Sequence, residues 1–158
     1  MTMRKNKLNP IFYFVISLVT MIMFDFMLTS HILHNIFLSD DFKFIDIVYV
    51  QNTGAAFSSF EHYTTFLVVI SIFAILGIIW ELFKDKYKYS LYFIFFSAML
   101  TAGIFGNTYE RATLGYVRDF INLKFIEFPV FNISDILINI SVLAIIILII
   151  TKKYKRNV

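Results

Sequence analysis

The stretch TFLVVISIFAILGIIWELF at residues 65–83 decides the fold class, because it is apolar almost throughout and carries a single charge, Glu81. A helix of roughly 20 apolar residues crosses the hydrocarbon core of a bilayer. Three further apolar stretches complete a predicted bundle of four spans at residues 11–28, 63–83, 89–106 and 133–150. In the third span, small side chains predict close contact with a neighbouring helix: Ser97, Ala98, Ala102 and Gly103.

The composition supports a membrane protein. Of the 158 residues, 59% are hydrophobic and 16% are charged, whereas soluble domains carry about a quarter charged residues. The mean hydropathy is +0.75. Aromatic residues make up 19% of the chain, which excludes an intrinsically disordered chain. We therefore predict a single all-α integral membrane domain over residues 1–158.

Lysine and arginine are distributed unevenly between the connections. Ten of the fourteen lie at the two ends of the chain and in the turn between spans two and three, and the other four are Lys43, Arg111, Arg118 and Lys124. Because cytoplasmic connections are enriched in Lys and Arg, both termini are predicted to be cytoplasmic. The net charge of +3 then reflects topology and contact with lipid headgroups, and no nucleic-acid partner is predicted.

Two segments, residues 30–62 and 107–132, are consequently predicted to face outward. The first contains FKFIDIVYVQN at residues 42–52, in which apolar and polar side chains alternate with the period of a strand. We therefore expect a small extracytoplasmic β-sheet between helices 1 and 2, at residues 42–57, lying over the outer end of the bundle as a cradle.

Polar side chains concentrate at this outer end. Ionisable groups within or at the edge of a membrane are costly and usually face a cavity or one another. The set comprises Asp25, Asn52, Asn107, Glu110, Arg111, Asp119, Asn132 and Asp135. Their convergence on one end of the bundle predicts a functional cavity there.

Asp119 and Asp135 are the candidate catalytic groups, provided that the second outer segment folds back to the bundle. Paired carboxylates share a proton, so that one can activate water while the other protonates a carbonyl. The N-terminus of the fourth helix favours ionisation of Asp135. Structural interpretations remain open: Asp135 and Asn132 can form a helix cap, and Asp119 can be a loop acid paired with Arg118.

Other chemistries are not supported by the sequence. The chain has no cysteine, which excludes thiolate nucleophiles and Cys-ligated metals. His31, His34 and His62 lack the spacing of a metal motif and are predicted to lie at the rim of the membrane, so no metal site is predicted. No serine has a plausible nearby base, and no glycine-rich phosphate loop is present.

Four short motifs together resemble the bacterial lipoprotein signal peptidase family, signal peptidase II. They are Asn52-Thr53-Gly54-Ala55-Ala56-Phe57, Gly103-Ile104-Phe105-Gly106-Asn107 followed by Arg111, Val117-Arg118-Asp119-Phe120-Ile121, and Phe128-Pro129-Val130-Phe131-Asn132-Ile133-Ser134-Asp135. They occur in the order of the family and in the predicted outer segments. Each motif is weakly specific alone, and the four in order carry the resemblance.

The resemblance implies an intramembrane aspartic endopeptidase of the bacterial cytoplasmic membrane, with its active site at the outer face. It would remove signal peptides from prolipoproteins just before a diacylglyceryl-modified Cys, without a cofactor, and cyclic peptides of the globomycin type would inhibit it. Asp119 and Asp135 would be catalytic, with Asp25 and Glu110 in supporting roles. Substrate-binding positions would be Asn52, Gly54, Asn107, Arg111 and Asn132.

The sequence departs from the family pattern at four positions. Phe26 and Thr29 stand where a Gln and a Lys usually follow the acid of the first span, Glu110 replaces an Asp, and Ser134 stands where Ala is common. A rival interpretation is a membrane protein without catalytic activity, either a homologue that binds lipidated peptides or small ligands in the same cavity, or a small transporter. It would tolerate Asp119→Asn, whereas a peptidase would lose turnover.

Overall fold

The computed structural model describes residues 9–35, 43–54, 63–84 and 88–155. Four helices and two strands follow one another along the chain: α1 (Pro10–His34), β1 (Ile45–Asn52), α2 (Thr64–Lys84), α3 (Leu91–Leu114), β2 (Val117–Leu123) and α4 (Ile133–Ile150). All four helices are long and apolar enough to cross a membrane. The predicted four-helix membrane bundle with a small sheet is therefore confirmed.

Helix α3 is the centre of the bundle, because it packs against α1, α2 and α4. The small side chains predicted to permit close helix contact, Ser97, Ala98, Ala102 and Gly103, are all buried. A Cβ atom on Gly103 would lie 2.6 Å from the Ser134 carbonyl oxygen and 2.8 Å from Ile138 Cγ1. Glycine at this position thus lets the first turns of α4 lie directly against α3.

The sheet has two antiparallel strands, and its register pairs Ile45 with Leu123 and Asn52 with Val117. The strand predicted over residues 42–52 is observed as Ile45–Asn52, while Phe42 and the predicted cradle residues 55–57 lie outside the described residues. Its partner β2 comes from the connection between α3 and α4. The sheet therefore joins the α1–α2 connection to the α3–α4 connection, whereas the sequence indicated a sheet within the first connection alone.

Helix α3 also extends further than its predicted end at residue 106, since it continues to Leu114. Gly115 then adopts a left-handed conformation, φ 86°, and donates its N–H to the Arg111 carbonyl oxygen. The apolar pattern stops earlier than the helix because Thr108 and Glu110 are polar but buried inside the protein. Asn107, Glu110 and Arg111 consequently lie on a helix and not in a loop.

The opposite end of the bundle is closed by an apolar cluster built from Phe14, Leu82, Tyr89 and Ile94. A β-bridge between Tyr89 and Lys155 holds the residues after α4 beside the start of α3. The end of α3 and the start of α4 thus share one end of the bundle with the sheet, and the polar residues lie there. The other end carries the N-terminus of α1 and the C-terminus of α4.

Candidate active site

Asp119 and Asp135 reach the polar end of the bundle from two different elements. Asp119 lies on β2 and is 2% exposed, among the buried side chains of Val117 and Phe120. Asp135 lies in the first turn of α4. Strand alternation turns Asp119 inward and the neighbouring Arg118 to the other face. The sheet and the helix bundle therefore each contribute one carboxyl group.

Two asparagine amides connect these carboxyl groups. Asn132 Nδ2 donates to Asp119 Oδ1 at 2.9 Å and to Asn107 Oδ1 at 3.0 Å, and Asn107 Nδ2 donates to Asp135 Oδ1 at 2.8 Å. Asn132 also forms a capping box with Asp135: its Oδ1 accepts the Asp135 N–H, and its own N–H donates to Asp135 Oδ2. The helix cap expected as a structural role of Asp135 is thus present. Asn132, which forms this cap with Asp135, also donates to the Asp119 carboxyl group.

The end of β1 supplies the other side of the site. Asn52 Nδ2 donates to Asp119 Oδ2 at 2.9 Å, and Asn52 Oδ1 accepts the Gly54 N–H at 3.0 Å. Arg111 Nη2 donates to the Gly54 carbonyl oxygen at 2.6 Å. Among the described residues, the buried Nε of Arg111 has no hydrogen-bond partner. These contacts hold the turn after β1 against α3, next to Asp119.

A cavity of about 240 Å³ opens between the two carboxyl groups and the loop before α4. Its polar wall contains Asn52, Asn107, Arg111, Asp119, Asp135 and Asn139. Its apolar wall contains Val117, Phe128, Pro129, Val130, Phe131 and Ile138. A mixed cavity of this kind suits a peptide segment that has a polar backbone and apolar side chains.

The electrostatic environment of Asp119 differs from that of a surface acid. Burial raises the pKa of Asp119 to about 7, and the negative charge of Asp135 contributes to the rise. The amide donors Asn52 and Asn132 and the positive charge of Arg111 act in the opposite direction. Near neutral pH this carboxyl group is therefore present in both protonation states, as a proton donor in acid–base chemistry requires.

Arg118 does not pair with Asp119, so the loop-acid interpretation of Asp119 is wrong. Instead, Arg118 Nε and Nη2 donate to Glu110 Oε1 at 2.9 and 2.6 Å, and the Arg118 N–H donates to Glu110 Oε2 at 2.7 Å. Glu110 thereby fixes the start of β2 to α3, behind Asp119. Among the described residues, no hydrogen bond joins Glu110 to Asp119 or Asp135.

Asp25 lies behind the capping box. Ser134 Oγ donates to Asp25 Oδ2 at 2.6 Å, and Thr29 Oγ1 donates to Asp25 Oδ1 at 3.4 Å. Thr29 and Ser134 are two of the departures from the family pattern, and both contact the same carboxyl group. No local sequence pattern relates Thr29 to Ser134, because they lie on α1 and α4, far apart in the chain.

The chain is similar to known proteins over most of its length. The family model described as signal peptidase (SPase) II matches residues 13–151. A protein named lipoprotein signal peptidase from Lactobacillus johnsonii is 35% identical over 92% of this chain and 96% of its own length. One of the same name from Lactococcus lactis subsp. lactis is 33% identical, with 88% and 94% covered.

Solved structures lead to the same fold. A bacterial membrane enzyme structure determined by the in meso method at 2.3 Å resolution superposes with a TM-score of 0.76 at 27% identity, covering 92% of this chain and 93% of the other. A second, at 1.9 Å resolution, gives a TM-score of 0.72 at 29% identity, with 86% and 91% covered. With four helices long enough to span a membrane, a sheet that joins two of their connections and a family match over most of its length, this chain belongs to the signal peptidase II family of peptidases.

Proposed function

We propose that this protein is an intramembrane aspartic endopeptidase in which Asp119 and Asp135 together hydrolyse the peptide bond that joins a signal peptide to a prolipoprotein. One observation carries the proposal: the two carboxyl groups line the same cavity, and two asparagine amides link them. Packing of the bundle alone does not require carboxyl groups from two different elements to line one cavity. Shared access to one cavity is what a pair of acid and base groups needs.

The proton inventory favours one division of labour. Asp119, with its pKa raised to about 7 by burial, carries the shared proton, and the positive end of α4 favours the ionised form of Asp135. Asp135 removes a proton from water as the water oxygen attacks the scissile carbonyl carbon, and Asp119 protonates the carbonyl oxygen. When the C–N bond breaks, Asp135 returns its proton to the leaving amine and Asp119 recovers the hydroxyl proton, which regenerates the pair.

Arg111, Asn52 and Gly54 are the proposed groups that hold the substrate backbone. Arg111 already binds the Gly54 carbonyl oxygen, and its buried Nε donor has no partner among the residues that the structure describes. An unsatisfied buried donor is costly, so a substrate carbonyl oxygen within reach would be bound favourably. Asn107 and Asn132 complete the proposed site by holding the two carboxyl groups in place.

The relatives named lipoprotein signal peptidase indicate the substrate class, prolipoproteins. A diacylglyceryl-modified Cys would keep the scissile bond at the membrane surface, where the polar end of the bundle meets lipid. The Lys and Arg distribution supports cytoplasmic termini and an outward-facing site in the bacterial cytoplasmic membrane. Cyclic peptides of the globomycin type would compete with substrate for the same cavity.

The test is cleavage of a diacylglyceryl-modified prolipoprotein by purified protein, with mass spectrometry of the products. Wild type should release the signal peptide and leave a product that begins with the lipidated Cys. Asp119→Asn should lower the rate between about a hundredfold and ten-thousandfold, because the acid–base group is lost. Asp46→Asn is the matched control: Asp46 lies on β1 and pairs with Lys124 at 2.9 Å, away from the cavity.

Asp46→Asn should retain wild-type activity within about twofold. Cleavage by Asp119→Asn at the wild-type rate would overturn the aspartic mechanism. Failure of the wild type to cleave, while it still binds the lipidated precursor, would overturn the peptidase function and leave the binding homologue as the explanation.

A further inference from the structure

A second carboxyl cluster lies behind the candidate active site and joins α1 to α4. Asp25 is 5% exposed, Thr29 7% and Ser134 4%. The Ser134 hydroxyl donates to Asp25 Oδ2 at 2.6 Å, whereas Thr29 donates from one turn along the same helix at 3.4 Å. The hydrogen bond from Ser134 is therefore the stronger contact, and it connects two helices.

This hydrogen bond connects α1 to the residue that directly precedes Asp135. Asn132, the capping residue of α4, lines the same small space of about 10 Å³ as Asp25 and Ser134. The hydrogen bond to the Ser134 side chain therefore restrains the first turn of α4, in which the capping box fixes the Asp135 carboxyl group. Asp25 contacts neither Asp119 nor Asp135 by a hydrogen bond among those found in the described residues.

Helix α3 has a glycine, Gly106, where it lies against this hydrogen bond. A Cβ atom on Gly106 would overlap Ser134 Oγ and Asp25 Oδ2. The next residue, Asn107, donates to Asp135 Oδ1 at 2.8 Å. Adjacent residues of α3 thus meet adjacent residues of α4: Gly106 faces Ser134, and Asn107 binds Asp135. The two contacts set the position of α4 along α3.

We propose that Asp25 is a positioning residue that holds Asp135 in its reactive orientation through the Ser134 hydroxyl. A carboxyl group buried within a membrane-spanning helix is costly, and an apolar side chain of similar size would join α1 to α4 at lower cost. A directional hydrogen bond adds what apolar packing does not, which is a fixed orientation of the turn that carries Asp135. The inference rests on the proposed catalytic role of Asp135.

The test is a double-mutant cycle of Asp25→Leu and Ser134→Ala on the cleavage of a diacylglyceryl-modified prolipoprotein. Both substitutions make the bundle more apolar, so insertion into the membrane is not impaired. Each single variant should lower kcat between about tenfold and a hundredfold, since misplacing a reacting group has effects of this size. KM should change less than about twofold, and the double variant should be no slower than the slower single variant.

Ser141→Ala is the matched control, because Ser141 is a buried serine of α4 whose Oγ donates within its own helix to the Ile138 carbonyl oxygen. It should retain wild-type kcat. Thermal unfolding of every variant separates loss of fold from loss of orientation: the proposal requires a fall in kcat in variants that unfold at the wild-type temperature.

Wild-type kcat in Ser134→Ala would overturn the positioning role, as would losses that multiply in the double variant. Asp119→Asn, measured in the same assay, keeps this result separate from the proposed function. If Asp119→Asn is inactive and Ser134→Ala is fully active, the positioning inference alone fails. If Asp119→Asn is fully active, the catalytic assignment fails with it.

Discussion

The two ends of the helix bundle both carry acidic side chains, yet these side chains differ in burial and in their partners. At the end near the chain termini, Glu81 accepts from Lys88 at 3.3 Å and from the Tyr89 hydroxyl. The Glu81 and Lys88 side chains are 49% and 38% exposed, respectively. At the opposite end, Asp119 is 2% exposed and accepts from Asn52 and Asn132 on two other segments.

The difference separates a local surface contact from a constructed site. Exposed ion pairs between residues close in sequence contribute little to stability. A buried carboxyl group held by amides from distant segments depends on the tertiary fold. Its burial costs free energy, and such groups usually serve a function. Burial together with partners from several elements, and not acidity alone, therefore distinguishes the candidate active site from the Glu81 cluster.

Among variants outside the two carboxyl groups, the largest effect is expected from Asn132→Ala, which removes the donor to Asp119, the link to Asn107 and the cap of α4. Cleavage of a lipidated precursor should fall by about a hundredfold or more, as for residues that orient reacting groups. Asn122→Ala is the control, because Asn122 lies on β2 in the register position of Asp46. Equal activity of the two variants would mean that the amide link between the carboxyl groups is unimportant.

A smaller but distinct effect should follow Gly106→Ala, because the added methyl group meets Ser134 Oγ and Asp25 Oδ2. Overpacking of this kind costs about 1–3 kcal/mol, and the variant should unfold at a lower temperature and cleave more slowly. Gly77→Ala on α2 is the comparison, since nothing lies within 4 Å of a Cβ atom there. It should unfold at or above the wild-type temperature, because Ala favours helix over Gly.

The pH dependence of cleavage should report the protonation of Asp119. The pKa of Asp119 is raised to about 7 by burial, so deprotonation above that pH removes the proton that the pair must share. We expect kcat/KM to fall above about pH 7 and to be about tenfold below its maximum one pH unit higher. The apparent value belongs to the coupled pair. A rate that stays constant from pH 6 to 9 would contradict this assignment of the proton.

The smallest effect is expected at the other end of the bundle. Glu81→Gln removes an exposed charge that contacts only residues near it in sequence among its described partners, Lys88 and Tyr89. Cleavage should remain within about twofold of wild type. A loss as large as that of Asn132→Ala would show that the two ends are coupled and that the Glu81 contact is not merely local.

The sequence predicts the helices well, because a membrane span needs only a long apolar run, such as residues 65–83. It predicts β1 from alternation over residues 42–52. It does not predict β2, because VRDFINL at Val117–Leu123 becomes a strand only by pairing with a distant segment. The end of α3 is missed for a related reason: the polar residues after Gly106 find partners that only the folded protein provides.

The candidate site divides in the same way. Asp119 and Asp135 follow from the chemistry of paired carboxylates and from the family resemblance. Their connection through Asn107 and Asn132 depends on how β2 folds back to α4, which no local pattern contains. The contact of Ser134 with Asp25 joins residues on α1 and α4, and the pairing of Glu110 with Arg118 depends on the turn at Gly115.

The proposed catalytic pair is tested most directly by single-turnover cleavage by Asp119→Asn, Asp135→Asn and the double variant, with binding of the lipidated precursor measured in parallel. If the two carboxyl groups act as one catalytic pair, both single variants and the double variant fall to the same residual rate while substrate affinity stays within a few-fold of wild type. If Asp135→Asn retains a substantial part of the wild-type rate, or if the two losses multiply, the pair does not act as one unit and the account is wrong.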